Sequence, residues 1–440
     1  MNKELYNIAS WSIKTAKSSG ADECRVRIDN QRLVETSYRN QKPENIKEAS
    51  TRGLGVEVYA NGRYSVQTTS DLRKTAVKDF ISNAVSTTKL LAKDPYRNLP
   101  DPKYYQGRED KDLELVDPEH KNFGPKDRHE MVKEIEQACL EKGGDKAISV
   151  TAEQQDSYAE EVLLSSNGFQ GHREATVYVA VASMTAKGDG ARRPSDYSFV
   201  VCTHRKEMPE PEHIGREAAK RTLNLLGAKK IKTETLPIIL ENRQVSRFLG
   251  GFLAAMYGSS IQQKRSFLSN KKGKRVGSSH FTLKDDPFIK GGLGSRLYDG
   301  DGFAAKKRTM TDGGMLKDFY IGWYYSQKLG WEPTTGGPSN LVIPSGKRSV
   351  KEIMKDLGRG IFITGFIGGN SNSTTGDASI GIIGQLFENG EPVQAVSEMN
   401  IAGNHLKFWQ RLVETANDPW IYSSYRTPSL VFEDMVVSGL

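Results

Sequence analysis

The chain has only three cysteines in 440 residues, Cys24, Cys139 and Cys202, and no Cys-x-x-Cys pair. So sparse and odd a count argues against a disulfide framework and a Cys-based zinc module, and it suits a reducing cytosol. No apolar run reaches membrane-spanning length, and apolar residues make up 37% of the chain, so a soluble protein is expected. The first twenty residues alternate charge with apolar residues at helical spacing and lack the apolar core of a signal peptide. The expected location is cytoplasmic, with no membrane partner.

Acidic residues are missing from one long window. Between Asn242 and Lys284 there is no Asp or Glu, while Arg243, Arg247, Lys264, Arg265, Lys271, Lys272, Lys274, Arg275 and Lys284 all fall there. The net charge is +8, so the rest of the chain is close to neutral. Such a block suits an acidic partner, an anionic peptide or nucleic acid. Charge runs more often form solvated faces, and nucleic acid is the less favoured partner.

The familiar catalytic patterns are absent too. A zinc protease wants two His on one helical face and a Glu as general base. The one His-Glu pair is His129-Glu130, and Lys133 and Glu134 stand where the second His would fall. Cys202 and His204 would share a strand face, but two ligands without further help rarely hold zinc. There is no G-x-S-x-G elbow. There is no phosphate loop, since Leu268 stands where Gly273-Lys274 would need an upstream glycine. Asp285, Asp286, Asp299 and Asp301 do not form the twelve-residue calcium pattern and read as acidic turns. The residues alone assemble no complete catalytic constellation.

What is present is a thrice-punctuated α+β pattern. Leu5, Ile8, Ala9, Ile13 and Ala16 mark an amphipathic helix. Strands are expected at 24–28, 33–37, 45–50, 55–59 and 63–66, with Asn61-Gly62 as a hairpin turn, then a helix at 72–91. The Pro- and charge-rich segment 93–112 reads as a linker. A second unit repeats the order: a helix at 127–141 ending at Gly143-Gly144, strands at 148–154, 159–164, 175–184 and 197–202, a turn at Asn167-Gly168, and a helix at 212–226. The repetition fits an old duplication and equally a common α+β arrangement.

The third unit starts near Lys232 with a strand and a helix, 242–257, and then turns glycine-rich, with turns at Asp299-Gly300, Asp312-Gly313 and Asn389-Gly390. Ser349 is expected to cap a short helix ending before Gly358, and Asn404 a helix carrying Leu406, Trp409, Leu412 and Val413. The expected fold is α+β: helix-plus-antiparallel-sheet units at 1–105 and 106–230, then a large, mostly antiparallel β-rich domain at 231–440.

One stretch organises that last unit, from Asn370 to Asn404. A polar loop leads into an apolar run, Ile380 to Phe387, then Asn389-Gly390 and a second run. Gly376, Gly381 and Gly384 interrupt the first strand, and glycine in a strand marks a bulge or a close backbone approach. That leaves a twisted hairpin at a crowded corner, or a strand that a peptide or partner approaches. Gly376, Asp377, Ile380, Gly381, Ile382, Met315, Lys264 and Arg265 are the candidate contacts. Open edges are expected at 376–387 or 315–321.

The stretch carries a resemblance. Thr375-Gly376-Asp377, Ser379-Ile380-Gly381, Phe387-Glu388-Asn389-Gly390-Glu391 and Ile401-Ala402-Gly403-Asn404 resemble the C-terminal signature of the TldD/PmbA family. That family was named for a supposed modulator of DNA gyrase and is understood as a two-subunit metalloprotease. Gly20-Ala21-Asp22-Glu23, Arg52-Gly53-Leu54-Gly55-Val56, Ser165-Ser166-Asn167-Gly168 and Lys264-Arg265-Ser266-Phe267-Leu268 are similar to its earlier regions, in order. The resemblance implies a PmbA/TldE-type member. The catalytic kind carries HExxxH on the first helix of the third domain and a Cys near the C-terminus. Here that helix, Arg247 to Tyr257, has neither His nor Glu, and Tyr422 to Thr427 has no Cys. The implied function is a non-catalytic subunit, with no cofactor of its own, joined to a TldD-like, zinc-bearing partner that cleaves unfolded peptides. The alternatives are a homodimeric peptide-binding protein and a nucleic-acid or gyrase-associated modulator, which salt-dependent DNA binding would single out.

Overall fold

In the computed structural model, which describes residues 2–440, the first half of the chain builds one sheet. Helix α1 (Lys3–Ser18) leads into strands β1 (Glu23–Arg39), β2 (Lys42–Ala60) and β3 (Arg63–Thr69), and α2 (Lys74–Thr88) follows. The same order returns as α3 (Pro125–Gly143), β4 (Ala147–Ser165), β5 (Gln170–Ala186), β6 (Ser195–Cys202) and α4 (Pro211–Leu223). The strands lie in the order β3-β2-β1-β4-β5-β6, all antiparallel, so the two halves meet at β1 and β4.

The strands are longer than the apolar pattern predicts. The expected pieces at 24–28 and 33–37 are one strand, because Asp29 to Arg32 pair with β2 on one side and β4 on the other. A ladder on both sides satisfies the backbone there even though the side chains are polar. The same holds for Asp156 to Tyr158 in β4. Asn61-Gly62 turns as expected, with φ of 55° and 70°. The β1–β2 turn is Asn40-Gln41, also left-handed at 53° and 58°, and carries no glycine to announce it.

Strand side chains alternate between faces. Val26, Ile28, Val56, Val58 and Val162 bury against α1 and α2. Val150, Ala152, Ala180, Ala182 and Val200, of the same parity, bury against α3 and α4. All four helices therefore cover one face. The other face looks toward the third unit, where Leu163 and Phe169 pack with Tyr298, and Arg25 donates to the carbonyls of Gly300 and Asp301.

The third unit contains β7 (Glu234–Leu240), α5 (Asn242–Ala254), α6 (Gly258–Gln262), β8 (Leu283–Asp285), β9 (Arg308–Asp312), β10 (Met315–Leu316), α7 (Trp323–Leu329) and β11 (Leu341–Val342). It continues with α8 (Val350–Leu357), β12 (Arg359–Ser371), β13 (Asp377–Glu388), β14 (Glu391–Asn404), α9 (His405–Gln410), β15 (Leu412–Thr415), β16 (Tyr425–Arg426) and β17 (Leu430–Ser438). One sheet runs β14-β13-β12-β7-β17-β15 and curls until β14 also meets β17, at Asn400 and Ile401. A smaller sheet runs β10-β9-β8-β11-β16. Most pairs are antiparallel, but β7–β12 and β11–β16 are parallel. The architecture is α+β.

The caps of α8 and α9 are as predicted: Ser349 and Glu352 form a reciprocal box, and Asn404 accepts from Leu406 N. Helix α9 is shorter than its pattern, because Leu412 leaves it to pair with Phe432 in β17. The 93–112 segment is a strap rather than a free linker. Arg97 lies between the Tyr64 and Tyr324 rings, at 4.5 and 3.6 Å from their centroids, and Tyr104 packs on Phe303 and Trp323. Its aromatic residues find partners that charge composition does not reveal.

Helices α3 and α4 approach closely at Gly215. A methyl there would press on the Ile135 carbonyl oxygen and stand 2.9 Å from Cys139 N. Backbone cannot yield as a side chain tip can, so Gly215→Ala is expected to cost about 2 kcal/mol, read as a lower denaturant midpoint at an unchanged slope.

Candidate functional site

Strand β13, which carries Ile380, Gly381 and Ile382, has β12 on one side and β14 on the other. A methyl at Gly384 would stand 3.0 Å from Cα of Ile363, and one at Gly381 would press on Ile367 O, both in β12. The backbone approaching these glycines belongs to this chain, and the expected open edge at 376–387 has a neighbouring strand on both sides from Asp377 on, broken only by bulges at Ile380 and Ile383. Met315 is no freer: Leu316 N donates to Lys274 O at 3.0 Å, and Gly273 N to Leu316 O at 2.8 Å. The edge expected at 315–321 is thus occupied where β10 forms it.

The remaining predicted residues share a corner. Gly376 has φ of 84°, and Asp377 accepts from Asn404 Nδ2 at 3.0 Å, a bond that holds its carboxyl below the usual range. The turn holding Lys264 and Arg265 adjoins this loop, since Phe267 N donates to Ser373 O at 2.9 Å. Met315 lies elsewhere, bridged to Arg275.

The basic window does not form one patch. Arg243 sits over the Phe199 and Trp420 rings, Arg247 donates to the Phe366 and Gly368 carbonyls, and Lys272 pairs with Asp318. These cations reach residues outside the window, whereas Lys264, Arg265 and Lys274 are exposed.

Helix α5 is the first helix of the third unit, the place to which the resemblance assigns the metal motif of catalytic members. Its inner face is aromatic: Phe248 meets Phe408, Trp409 and Phe432, and Phe252 meets Phe281 and Trp409. At Gly251 the space for a side chain is taken by the His405 ring and by Ser371 Oγ, 2.7 Å from where a Cβ would stand. His405 is fully buried, its Nε2 lies 3.1 Å from Ser371 Oγ, and its Nδ1 has no partner. Burial lowers its pKa to about 4, so the ring is neutral near pH 7. These residues do not fit a catalytic zinc. Cys24, Cys139 and Cys202 are buried thiols, raised by burial to about 11, 12 and 12. Cys202 and His204 find no third ligand among the described residues.

A feature missed by the sequence reading lies along β5. A groove of about 1600 Å3 runs between the loops at 111–119, 203–211 and 292–298. Twelve Asp or Glu and five Lys or Arg line it. Glu160 and Glu174 flank His172, whose Nε2 is 2.9 and 3.2 Å from their oxygens. Glu160 and Glu174 are directly paired across β4 and β5. The available signal was two charged runs, Glu160-Glu161 and His172-Arg173-Glu174, inside expected strands or next to one.

A helix-and-sheet pair built twice on one ladder, followed by a curled β domain, defines the class, and comparison identifies the family. Three models of the PmbA/TldA metallopeptidase match in order: domain 1 at 24–87, the central domain at 113–226 and the C-terminal domain at 233–439. The chain belongs to the PmbA/TldD metallopeptidase family. It is 27% identical to metalloprotease PmbA of Escherichia coli O157:H7, over 99% of this chain and 96% of that one. A solved Bacteroides thetaiotaomicron structure, named as a candidate modulator of DNA gyrase, shares 36% identity over the whole of both chains with a TM-score of 0.97. The fold also matches TldE from Thermococcus kodakarensis, with a TM-score of 0.87 at 22% identity, over 98% of this chain and all of that one. No helix among the described residues is long and apolar enough to cross a membrane.

His405 sets a pH dependence. Its pKa is about 4 in the fold against an ordinary 6.5, so the unfolded chain binds more protons between those values. Its contribution is full above pH 6.5 and is lost as pH falls toward 4. Its size is about 3 kcal/mol. From pH 7.5 to pH 4 the unfolding free energy of the native chain is expected to fall by about 3 kcal/mol more than that of His405→Phe, measured by denaturant titration at each pH.

Proposed function

We propose that this chain is the non-catalytic, PmbA/TldE-type subunit of a TldD-type zinc metalloprotease that cleaves unfolded peptides. The observation that carries the reading is α5. Where the catalytic kind would present its imidazoles and carboxylate, this helix offers Gly250 and Gly251, backed by His405 and a cluster of aromatic rings. A catalytic zinc needs three protein ligands and an open position, and α5 supplies no ligand. The zinc then belongs to a TldD-like partner in a cytoplasmic heterodimer, and this subunit holds the substrate extended while the partner cuts. Recognition through main-chain hydrogen bonds reads little side-chain identity, which suits unfolded chains. Folded proteins have no free backbone to offer and should resist.

The test is cleavage of an unstructured peptide, with elemental analysis of the purified chain. This subunit alone should cut nothing and hold no stoichiometric zinc. With a TldD-like subunit it should support cleavage that a chelator abolishes. Chelator-insensitive cleavage by this chain alone would sink the assignment. Salt-dependent DNA binding without any effect on proteolysis would favour the modulator reading.

A further inference from the structure

The ladder of β5 ends before the strand does. Strand β6 covers it from Tyr178 to Thr185 and stops. Beyond that, Thr176 N donates outward to Leu115 O at 2.9 Å. Outward-facing backbone groups recur at every second residue, so the next belong to Glu174 and His172. No backbone group meets these two on that side among the described residues. At the far end Arg108 Nη1 donates to Gln170 O at 2.7 Å. The open stretch is Gly171 to Ala175.

The groove described above follows this edge. Its lining carries an excess of carboxylates in a chain whose net charge is +8. The carboxylates fall on both faces of the sheet. Glu160 and Glu174 lie on the helix-covered face, beside His172. Asp29 and Glu161 are paired across β1 and β4 on the other face. Two wall atoms have unused bonding capacity: Oε1 of Glu161 and the hydroxyl of Tyr298 find no partner, and these residues are only 5% and 4% exposed. Burial, and then the Glu161 carboxylate, raise the pKa of Asp29, so a cation arriving here relieves like-charge crowding.

We propose that the groove takes a basic, extended peptide segment that adds to β5 as a further strand. Its backbone would pair with the free groups of His172 and Glu174. Side chains of an added strand point alternately to the two faces. Lys or Arg at alternate positions would then meet Glu174 and, one strand further in, Glu160, while the positions between them face Arg173 on the other side of the sheet. An unpaired edge supplies the main-chain affinity, and the carboxylates select for charge. The inference rests on the proposed function only in taking a peptide as ligand. It needs no partner and no cleavage, so binding to the isolated chain separates its failure from failure of the protease reading.

The probe is a fluorescein-labelled, unstructured peptide with lysine at alternate positions, titrated with the full chain and followed by anisotropy. Its counterpart carries glutamate at those positions. A third peptide is the lysine form N-methylated on alternate residues. The lysine peptide should bind, and binding should weaken as salt rises. The glutamate and N-methylated peptides should not bind. In the double variant Glu160→Gln with Glu174→Gln, affinity for the lysine peptide should fall about tenfold. The comparison of peptides uses the unaltered chain, so it stands whether or not the variant folds. Equal binding of the lysine and glutamate peptides, no binding of the lysine peptide, or unchanged affinity in a folded variant would overturn the proposal. A changed oligomeric state in the variant would also overturn it, marking the groove as an interface between copies of this chain.

Discussion

The ladder between β1 and β4 is the constraint on which the first half of the molecule depends. Residues 25 to 39 pair with residues 151 to 165 without a break. This register fixes which side chains of both halves share a face, because a slip of one residue would invert every one of them. It puts all four helices on one side and leaves the other for the third unit. It also carries a buried charge. Asp156, opposite Val34, is 1% exposed and accepts from Arg128 Nε at 2.5 Å, Arg128 Nη2 at 2.9 Å and Gln154 Nε2 at 2.7 Å. His120 Nε2 lies 3.0 Å from Oδ2, the oxygen that Arg128 Nη2 also reaches. Burial alone would raise this carboxyl, but the hydrogen bonds from Arg128 and His120 outweigh it and bring it to about 2. A buried carboxylate is tolerated only with such a set of donors, and here the donors tie the start of α3 to the centre of the sheet.

The third unit solves a different problem. A glycine-rich hairpin exposes backbone unless something covers it, and an exposed edge invites unwanted pairing. Here β12 and β14 flank β13, and β17 closes on β14. Gly381 and Gly384 let the backbone of β12 come close to β13. Helix α5 then packs its aromatic face against the core of this domain, with Phe248 touching Phe366 of β12 and Phe432 of β17. The same packing leaves no room for a side chain at Gly251.

Much of this was legible in the residues. Asn61-Gly62 and Asn389-Gly390 announced turns that form with left-handed backbones, and Ser349 and Asn404 announced helix starts. The α+β class followed from the alternation of periods. Strand length was not legible, because Asp29 to Arg32 and Asp156 to Tyr158 look like loops until their neighbours are known. The closure of the β13 edge was hidden for the same reason: pairing is a property of three strands, and a local pattern describes one. The acidic groove was missed because its carboxylates come from segments far apart in the chain, and each run alone reads as an ordinary solvated strand.

The curled sheet of the third unit places the earliest strand beside the latest. Leu240 pairs with Leu430, and Ile239 with Val431. During synthesis β7 therefore emerges with both lateral partners, β12 and β17, still unmade. Its apolar side chains Ile238, Ile239 and Leu240 must wait through the whole of the intervening chain. Strands that wait in this way are the ones that nascent-chain chaperones meet, since distant pairing is slow and leaves apolar surface uncovered. For this molecule the closing of its largest core waits until β17 has been made.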